Sequence, residues 1–241
     1  MLFKFIDAGD FLSVQVHPDD EYAREHTDDR RGKSEAWYII SAEPGAQIVH
    51  GWRRPTGPEQ VATAVEDGRL EGLLQYIDVA PGDVVYVPAE TVHAIGGGIV
   101  LAEIQQSSDV TYRLYDWNRP GSDGEPRELH VEESLATLNY ESTLQHKTPA
   151  LPISSSGMER RYLTACRYFV LESLTGDGVV SFNLDGSRFE IVSLLEGDAT
   201  LEWEHGSLEL GKGRTVLLPA ALGEWRLLPT GKCSALRMYP P

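Results

Sequence analysis

Short apolar runs separated by glycine and proline turns recur along most of the chain. The clearest run, VVYV at residues 84 to 87, follows a Pro-Gly-Asp turn and consists of β-branched and aromatic residues, which is typical of a buried strand. Pro88 ends it, because proline has no N–H to donate to a neighbouring strand. His93 then stands at the start of the next run. The pattern predicts a mainly β protein in which His93 faces the space that the sheet encloses.

Helical patterns are few and short. Three stretches predict helices: residues 17 to 26, residues 56 to 79 and residues 131 to 138. Asp19 or Asp20 is the expected N-cap of the first stretch, because acidic residues occupy its first turn. Gly68 is the expected stop within the second, which can hold one or two helices.

Polar residues at strand positions form a candidate metal site. Gln15 and His17 are two residues apart, and residues two apart in a strand point to the same face. Glu35 opens another strand-like run and adds a carboxylate. With His93, these side chains supply two imidazoles, one carboxylate and one amide oxygen, a mixed set that suits a zinc-like divalent metal with one position left open. The alternatives are an ion pair between Glu35 and Lys33, and a Gln15 that only orients a neighbour.

Charge and composition exclude several classes of protein. The 241 residues carry a formal net charge of −16, whereas binding to nucleic acid requires clustered Lys and Arg. No run approaches about 18 consecutive apolar residues, so no membrane span is expected. The N-terminus lacks the pattern of a secretory signal, which favours a cytoplasmic protein. Cys166 and Cys233 are far apart in the sequence and are expected to be buried thiols.

Four motifs resemble those of the type I mannose-6-phosphate isomerases (phosphomannose isomerases) of the cupin superfamily, in their short bacterial form. They are LSVQVHPDD at 12 to 20, GKSEAWYII at 32 to 40, PGDVVYVPAETVHAI at 81 to 95 and EIQQSSDVTYRLYDWNR at 103 to 119. The resemblance implies two cupin (jelly-roll-like) β-barrels with a few short helices. It also implies a zinc-dependent isomerase, with one Zn²⁺ per chain, that interconverts mannose 6-phosphate and fructose 6-phosphate by proton transfer between C1 and C2.

The resemblance also implies roles for individual residues. The positions of Gln15, His17, Glu35 and His93 hold zinc in the family, and Arg113, Lys33 and Glu103 match its catalytic pocket. No site for an organic cofactor is implied.

The local sequence adds independent arguments for Arg113 and Lys33. The strand pattern turns Arg113 away from Tyr112 and Leu114, and an inward guanidinium is costly unless an anion meets it. A salt bridge to Asp109 or Asp116 is the alternative. Lys33 lies two positions before Glu35 and is expected on the same strand face, although a solvated loop lysine would fit equally well.

The second half returns to strands after a change in composition. Residues 147 to 160 are rich in Pro, Ser and Gly without apolar periodicity, which predicts a linker or long surface loop. Residues 210 to 225 then repeat the layout around His93, with Glu224 in its place when Pro88 is aligned with Pro219. This predicts an internal duplication. We expect a metal-binding cupin domain at 1 to 146, a linker at 147 to 160, and a degenerate cupin domain without a metal site at 161 to 241.

The chain departs from the family at its start, because the family has several dozen further residues before the motif that begins here at Leu12. Either another part of the chain closes the barrel, or an exposed edge favours a homodimer. This departure keeps a second function open, a non-catalytic cupin that binds a sugar or sugar phosphate. A third is another cupin enzyme, such as a metal-dependent oxygenase or a different sugar isomerase, although the ligand set is a poor match for the redox iron of an oxygenase. The expected partner is a small sugar phosphate, with no nucleic acid and no membrane.

Overall fold

The computed structural model describes residues 1–121, 124–142 and 146–241. The chain divides into two compact units, one of Leu2–Thr148 and one of Pro149–Pro241 with Met1. Both units consist mainly of antiparallel strands, which confirms the predicted fold class. None of the helices in the described ranges is long and apolar enough to cross a membrane.

The N-terminal unit contains strands β1 Leu2–Ala8, β2 Val14–Val16, β3 Glu35–Ala42, β4 Gln47–Trp52, β5 Leu74–Asp78, β6 Val84–Val87, β7 His93–Ile95, β8 Ile99–Gln105 and β9 Tyr112–Tyr115. Its helices are α1 Asp20–His26, α2 Pro58–Glu66 and α3 Val131–Thr137, with a 3-10 turn at Leu70–Gly72. These helices lie in the three predicted stretches. The carboxylate of Asp19 caps α1 by accepting a hydrogen bond from the Tyr22 N–H at 2.8 Å.

Two sheets of the N-terminal unit, with strand orders β1-β8-β3-β6 and β5-β4-β7-β2-β9, pack together as a jelly-roll barrel. Side chains from both sheets, including Trp37 and Ile48, fill one part of its interior. The other face of the second sheet carries Val14 and Leu114 and is covered by apolar residues of α2 and α3. Because strand residues alternate between faces, the polar residues between these apolar positions point into the barrel.

The C-terminal unit contains β10 Leu151–Ile153, β11 Glu159–Ala165, β12 Val170–Gly176, β13 Val180–Asn183, β14 Glu190–Glu196, β15 Ala199–Trp203, β16 Gly206–Leu210, β17 Thr215–Leu218, β18 Glu224–Pro229 and β19 Cys233–Tyr239. A 3-10 turn lies at Ala220–Leu222. Residues 147 to 160 therefore hold a strand, β10, that the composition did not predict. It lies at the edge of the sheet and is largely exposed, so its sequence needs no apolar alternation.

The strand order of the first barrel occurs again in the second. Strands β12 to β19 repeat β1 to β8 one for one, since β1-β8-β3-β6 corresponds to β12-β19-β14-β17 and β5-β4-β7-β2 to β16-β15-β18-β13. This repeated topology agrees with the predicted internal duplication.

The strand register corrects the predicted equivalence of Glu224 and His93. His93 is the first inward residue of β7 and lies opposite Gln15 of β2. In the corresponding strands of the second barrel, the first inward residue of β18 is Trp225, which lies opposite Phe182. Glu224 is exposed at the start of β18. The sequence alignment was one residue out of register, and such a shift moves a side chain to the other face of a strand.

Charged residues of the second barrel pair with one another in its interior. Arg237 of β19 lies opposite Glu172 of β12, as Glu103 of β8 lies opposite Lys4 of β1 in the first barrel. The Arg237 guanidinium donates to Glu172 at 3.0 Å and also to Glu190, and all three side chains are buried. The second barrel thus fills the equivalent space with its own ion pairs and with the stacked rings of Phe182 and Trp225.

Candidate metal centre and its surroundings

The side chains of His17, Glu35 and His93 converge inside the N-terminal barrel. All three are buried, and their ligand atoms lie within 4.8 Å of one another. His17 Nε2 lies 3.2 Å from Glu35 Oε1, and His93 Nε2 lies 3.7 Å from Glu35 Oε2. Ligands at roughly 2.0 to 2.1 Å from a tetrahedral zinc-like ion are about 3.3 Å apart. Each imidazole therefore lies near the distance from Glu35 that such an ion requires.

Backbone carbonyls orient both imidazoles. His17 Nδ1 lies 2.9 Å from the Val110 carbonyl oxygen, and His93 Nδ1 lies 2.8 Å from that of Thr91. Since only an N–H can bond to a carbonyl, each ring carries its proton on Nδ1 and turns the Nε2 lone pair towards the other ligands. His17 Nε2 and Glu35 Oε2 are buried and receive no hydrogen bond from any described residue. Two acceptors without donors fit a cation between them.

Burial sets the protonation of this cluster. It lowers the pKa of His17, and burial together with the neighbouring His17 lowers the pKa of His93 to about 3. Burial alone would raise the pKa of Glu35, but positive charge on the adjacent His17 or on Lys33 holds it well below its ordinary value. When the imidazoles are neutral, the Lys33 ammonium supplies that charge at 3.1 Å. Both imidazoles are therefore neutral and Glu35 is ionised near neutral pH, which are the forms that bind a metal.

Gln15 lies beside this cluster, between His93 of β7 and Arg113 of β9 in the sheet register. Its amide Nε2 is 3.2 Å from His93 Nε2. In this orientation the amide donates to the ring nitrogen. A half-turn of the amide would put its oxygen in the same place, where it could serve as a further metal ligand.

Lys33 lies in the loop before β3 and not on the strand itself, so the expectation of a shared strand face is wrong. Its Nζ nevertheless reaches to 3.1 Å from Glu35 Oε1. The loop passes close to the residues that precede α1. The Lys33 N–H donates to the Pro18 carbonyl there at 2.9 Å. Gly32 makes this approach possible, because a Cβ there would lie 2.4 Å from the carbonyl carbon of Asp19. The ion pair considered as the alternative for Glu35 is present together with its contacts to the imidazoles.

Glu103 lies on β8, opposite Trp37 of β3 and Lys4 of β1. Its Oε1 accepts a hydrogen bond from the Trp37 indole N–H at 2.9 Å, and its Oε2 lies 2.6 Å from Lys4 Nζ. Burial and the negative charge of Glu35 raise the pKa of Glu103 to about 7, although Lys4 opposes the shift. A carboxyl group with such a pKa can both accept and donate a proton near neutral pH.

Lys4 is a member of this site that the sequence does not indicate. The only local signal is one lysine within the apolar run LFKFI. Its importance depends on the pairing of β1 with β8, and a pairing between segments so far apart leaves no mark in the local sequence.

Arg113 lies on β9 and shares the inward face with Gln15. Its guanidinium donates from NH1 to the Glu128 carbonyl at 2.7 Å, while its buried Nε has no partner among the described residues. Asp116, one of the two carboxylates considered as a salt-bridge partner, binds Arg127 at 2.5 Å instead. One nitrogen of the guanidinium is therefore held by the protein, and the Nε–H is left to bind an anion.

Comparisons with known proteins all point to one family. Residues 158–240 match the family model described as mannose-6-phosphate isomerase, cupin domain. Mannose-6-phosphate isomerase ManA of Bacillus subtilis is 38% identical over 245 residues, which cover 97% of this chain and 73% of the relative. The crystal structure of mannose 6-phosphate isomerase from Bacillus subtilis matches with a TM-score of 0.90 at 33% identity, over 98% of this chain and 74% of that one.

A more distant structure shares the fold. A mannose 6-phosphate isomerase described as holo and zinc-bound matches with a TM-score of 0.73 at 16% identity, over 97% of this chain and 77% of that one.

We expect His93→Ala to lose most of its bound metal. The substitution removes a neutral imidazole from the cluster. Loss of a residue that binds the metal directly should lower the metal affinity by more than the roughly 10- to 100-fold that is typical of residues that only support the ligands. The measurement is the zinc content of each chain after reconstitution and gel filtration.

His205→Ala is the control, because the His205 side chain is 80% exposed in the C-terminal unit. It should bind as much zinc as the parent protein. Full zinc occupancy in His93→Ala would contradict the assignment of His93 as a ligand.

Proposed function

The chain belongs to the mannose-6-phosphate isomerase family of enzymes, and from this premise we propose that its N-terminal barrel interconverts mannose 6-phosphate and fructose 6-phosphate with the help of one bound Zn²⁺. The observation that carries the proposal is the buried cluster of His17, Glu35 and His93 next to Glu103, a carboxyl group whose pKa is raised to about 7. A metal site adjoining a proton carrier is what an aldose–ketose isomerase of this kind requires.

Gln15, His17, Glu35 and His93 would hold the zinc. Two neutral imidazoles and one carboxylate are ordinary zinc ligands, whereas Ca²⁺ and Mg²⁺ prefer oxygen atoms alone. A related fold is known in a zinc-bound form, which supports the same choice. When bound, the ion would act as a Lewis acid that polarises the carbonyl group of the sugar.

Glu103 would carry the proton. Interconversion moves a proton between C1 and C2 of the sugar, so one side chain must first accept it and then return it to the neighbouring carbon. The indole of Trp37 holds one carboxyl oxygen, and Lys4 stabilises the ionised form at the other. Lys33 is a second candidate, although its contact with Glu35 better suits a residue that keeps the metal-binding carboxylate charged.

Arg113 would stabilise negative charge on the substrate. Its free Nε–H and planar guanidinium suit either a phosphate group or the enediolate that forms during proton transfer. A sugar phosphate is the partner that we propose for this site. A cytoplasmic location, a homodimer and the absence of other partners stay predictions.

Turnover should depend on zinc. We expect the purified protein to convert mannose 6-phosphate to fructose 6-phosphate, to lose this activity on chelation and to regain it when Zn²⁺ is added. A coupled assay of fructose 6-phosphate formation measures all three states. Tight binding of the sugar phosphate without turnover would instead support a non-catalytic cupin.

The pH dependence should identify Glu103. If the ionised carboxylate starts the reaction from mannose 6-phosphate, kcat/KM falls as the pH drops through the pKa of Glu103. We expect this decline at or below pH 7, because a bound cation favours the ionised form. Glu103→Gln should lose about 100-fold or more in kcat, together with the acid limb of the pH profile, while retaining zinc. An unchanged acid limb in Glu103→Gln would assign the proton to another group.

Arg113→Ala should lower kcat/KM by about 100-fold or more and leave the zinc content unchanged. Arg113→Lys should recover little, because an ammonium group does not reproduce the planar guanidinium. Arg119→Ala is the matched control, since Arg119 is a nearby arginine whose pairing with Asp116 at 3.1 Å is structural. If Arg113→Ala kept normal turnover but unfolded more easily than Arg119→Ala, its role would be structural as well.

A further inference from the structure

Gln105, the last residue of β8, points into the N-terminal barrel beside the candidate metal centre. It lies opposite Glu35 of β3 in the register, and it shares the inward face with Glu103, two residues earlier. Its side chain is almost completely buried, with 1% of the residue exposed. Gln105 is therefore a neighbour of both carboxylates of the site.

Hydrogen bonds fix the orientation of the Gln105 amide. Its Nε2 donates to the Gln106 carbonyl at 2.9 Å and to the Ser108 carbonyl at 3.3 Å. Only the NH₂ group can donate to two carbonyl oxygens, so these contacts identify which end of the amide is the oxygen. Gln105 Oε1 is buried and accepts no hydrogen bond from any residue in the described ranges.

A buried acceptor of this kind needs a donor, which no described residue supplies and which a bound ligand can supply. The oxygens of an ionised phosphate are themselves acceptors and would be repelled by Oε1 and by the Glu35 carboxylate next to it. A sugar hydroxyl can donate. The donors that suit the phosphate are cationic groups elsewhere in the site, such as Arg113. The wall formed by β8 and β3 is thus chemically suited to the hydroxyl-bearing part of a sugar.

We propose that Gln105 Oε1 accepts a hydrogen bond from one hydroxyl group of the sugar phosphate and makes that hydroxyl a requirement for tight binding. The inference rests on the proposed function, because it takes a sugar phosphate as the ligand. It adds a specificity-determining residue that acts through binding, apart from the metal ligands and the proton carrier.

The test combines Gln105→Met with monodeoxy analogues of fructose 6-phosphate, each lacking one hydroxyl group. Methionine has a similar length and no strong acceptor. With zinc-loaded protein in a calorimeter, we expect fructose 6-phosphate to bind Gln105→Met about 10-fold more weakly than the parent. The analogue that lacks the hydroxyl bound by Gln105 should bind the parent and the variant equally well. Comparing the two proteins with the two ligands isolates the contact between the Gln105 side chain and that hydroxyl group.

A purely structural role for Gln105 gives a different result. Gln105→Met also releases the carbonyls of Gln106 and Ser108, and a loosened loop would weaken the binding of every analogue by the same factor. Ser108→Ala is the matched control, because it removes a hydroxyl that donates to the Arg31 carbonyl at 2.9 Å in the same loop and leaves Gln105 in place. Any loss in Ser108→Ala should be uniform across the series. A uniform loss in Gln105→Met overturns the proposal.

Zinc content and the parent protein complete the test. Gln105→Met should retain its zinc. Loss of zinc would mean that Gln105 supports the metal site and does not bind the sugar.

If Gln105→Met fails to fold, the test uses the parent protein alone. At least one monodeoxy analogue must bind the parent about 10-fold more weakly than fructose 6-phosphate does, and equal binding of all analogues refutes the proposal. A parent that neither binds nor isomerises fructose 6-phosphate refutes the proposed function and this inference with it. A parent that isomerises but shows no hydroxyl-specific loss refutes only the role of Gln105.

Discussion

The burial of the Glu35 carboxylate is the interaction on which the rest of the candidate site depends. An isolated charge inside a barrel is strongly unfavourable unless opposite charges and hydrogen bonds compensate it. Lys33 supplies one positive charge directly, and Lys4 compensates the second buried carboxylate, Glu103. The two carboxylates and two ammonium groups balance one another. A bound divalent cation and a phosphate group of roughly −2 would then add equal and opposite charges, and Arg113 would contribute one further positive charge for the anion.

The two barrels share one topology but have different interiors. In the first, the inward positions carry His93 and Gln15, whose polar atoms face the candidate metal ligands. In the second, the corresponding positions carry the stacked rings of Trp225 and Phe182. The Arg237 guanidinium lies over the ring of Phe182 at 4.0 Å and pairs with buried carboxylates. The second barrel pairs its interior charges with one another, and its buried atoms without partners among the described residues are donors, Arg160 Nε and Trp225 Nε1. The first barrel instead leaves buried acceptors unsatisfied, among them His17 Nε2 and Gln105 Oε1.

Local sequence signals account for much of the candidate site. Gln15 lies within the short strand β2 and His17 directly follows it, whereas Glu35 and His93 each begin a strand. Turns or alternating apolar residues mark all three strands in the sequence. Their faces follow from the period of a strand, and the structure brings all four together. The same reasoning predicts that Arg113 lies on the inward face. It also predicts Lys33 on a strand, but Lys33 lies in a loop, because strand β3 begins only at Glu35.

The mainly β architecture, the short helices and the inward face of each metal-ligand candidate are predictable from the sequence, because these depend on residues close together in the chain. Which distant side chains meet depends on how the strands pair in the fold. Lys4 and Gln105 gain their significance from the pairing of β8 with β1 and β3. Likewise, the pairing of β18 with β13 places Trp225, and not Glu224, inside the second barrel. Strand register depends on hydrogen bonds between distant segments, and a shift of one residue exchanges the inward and outward faces.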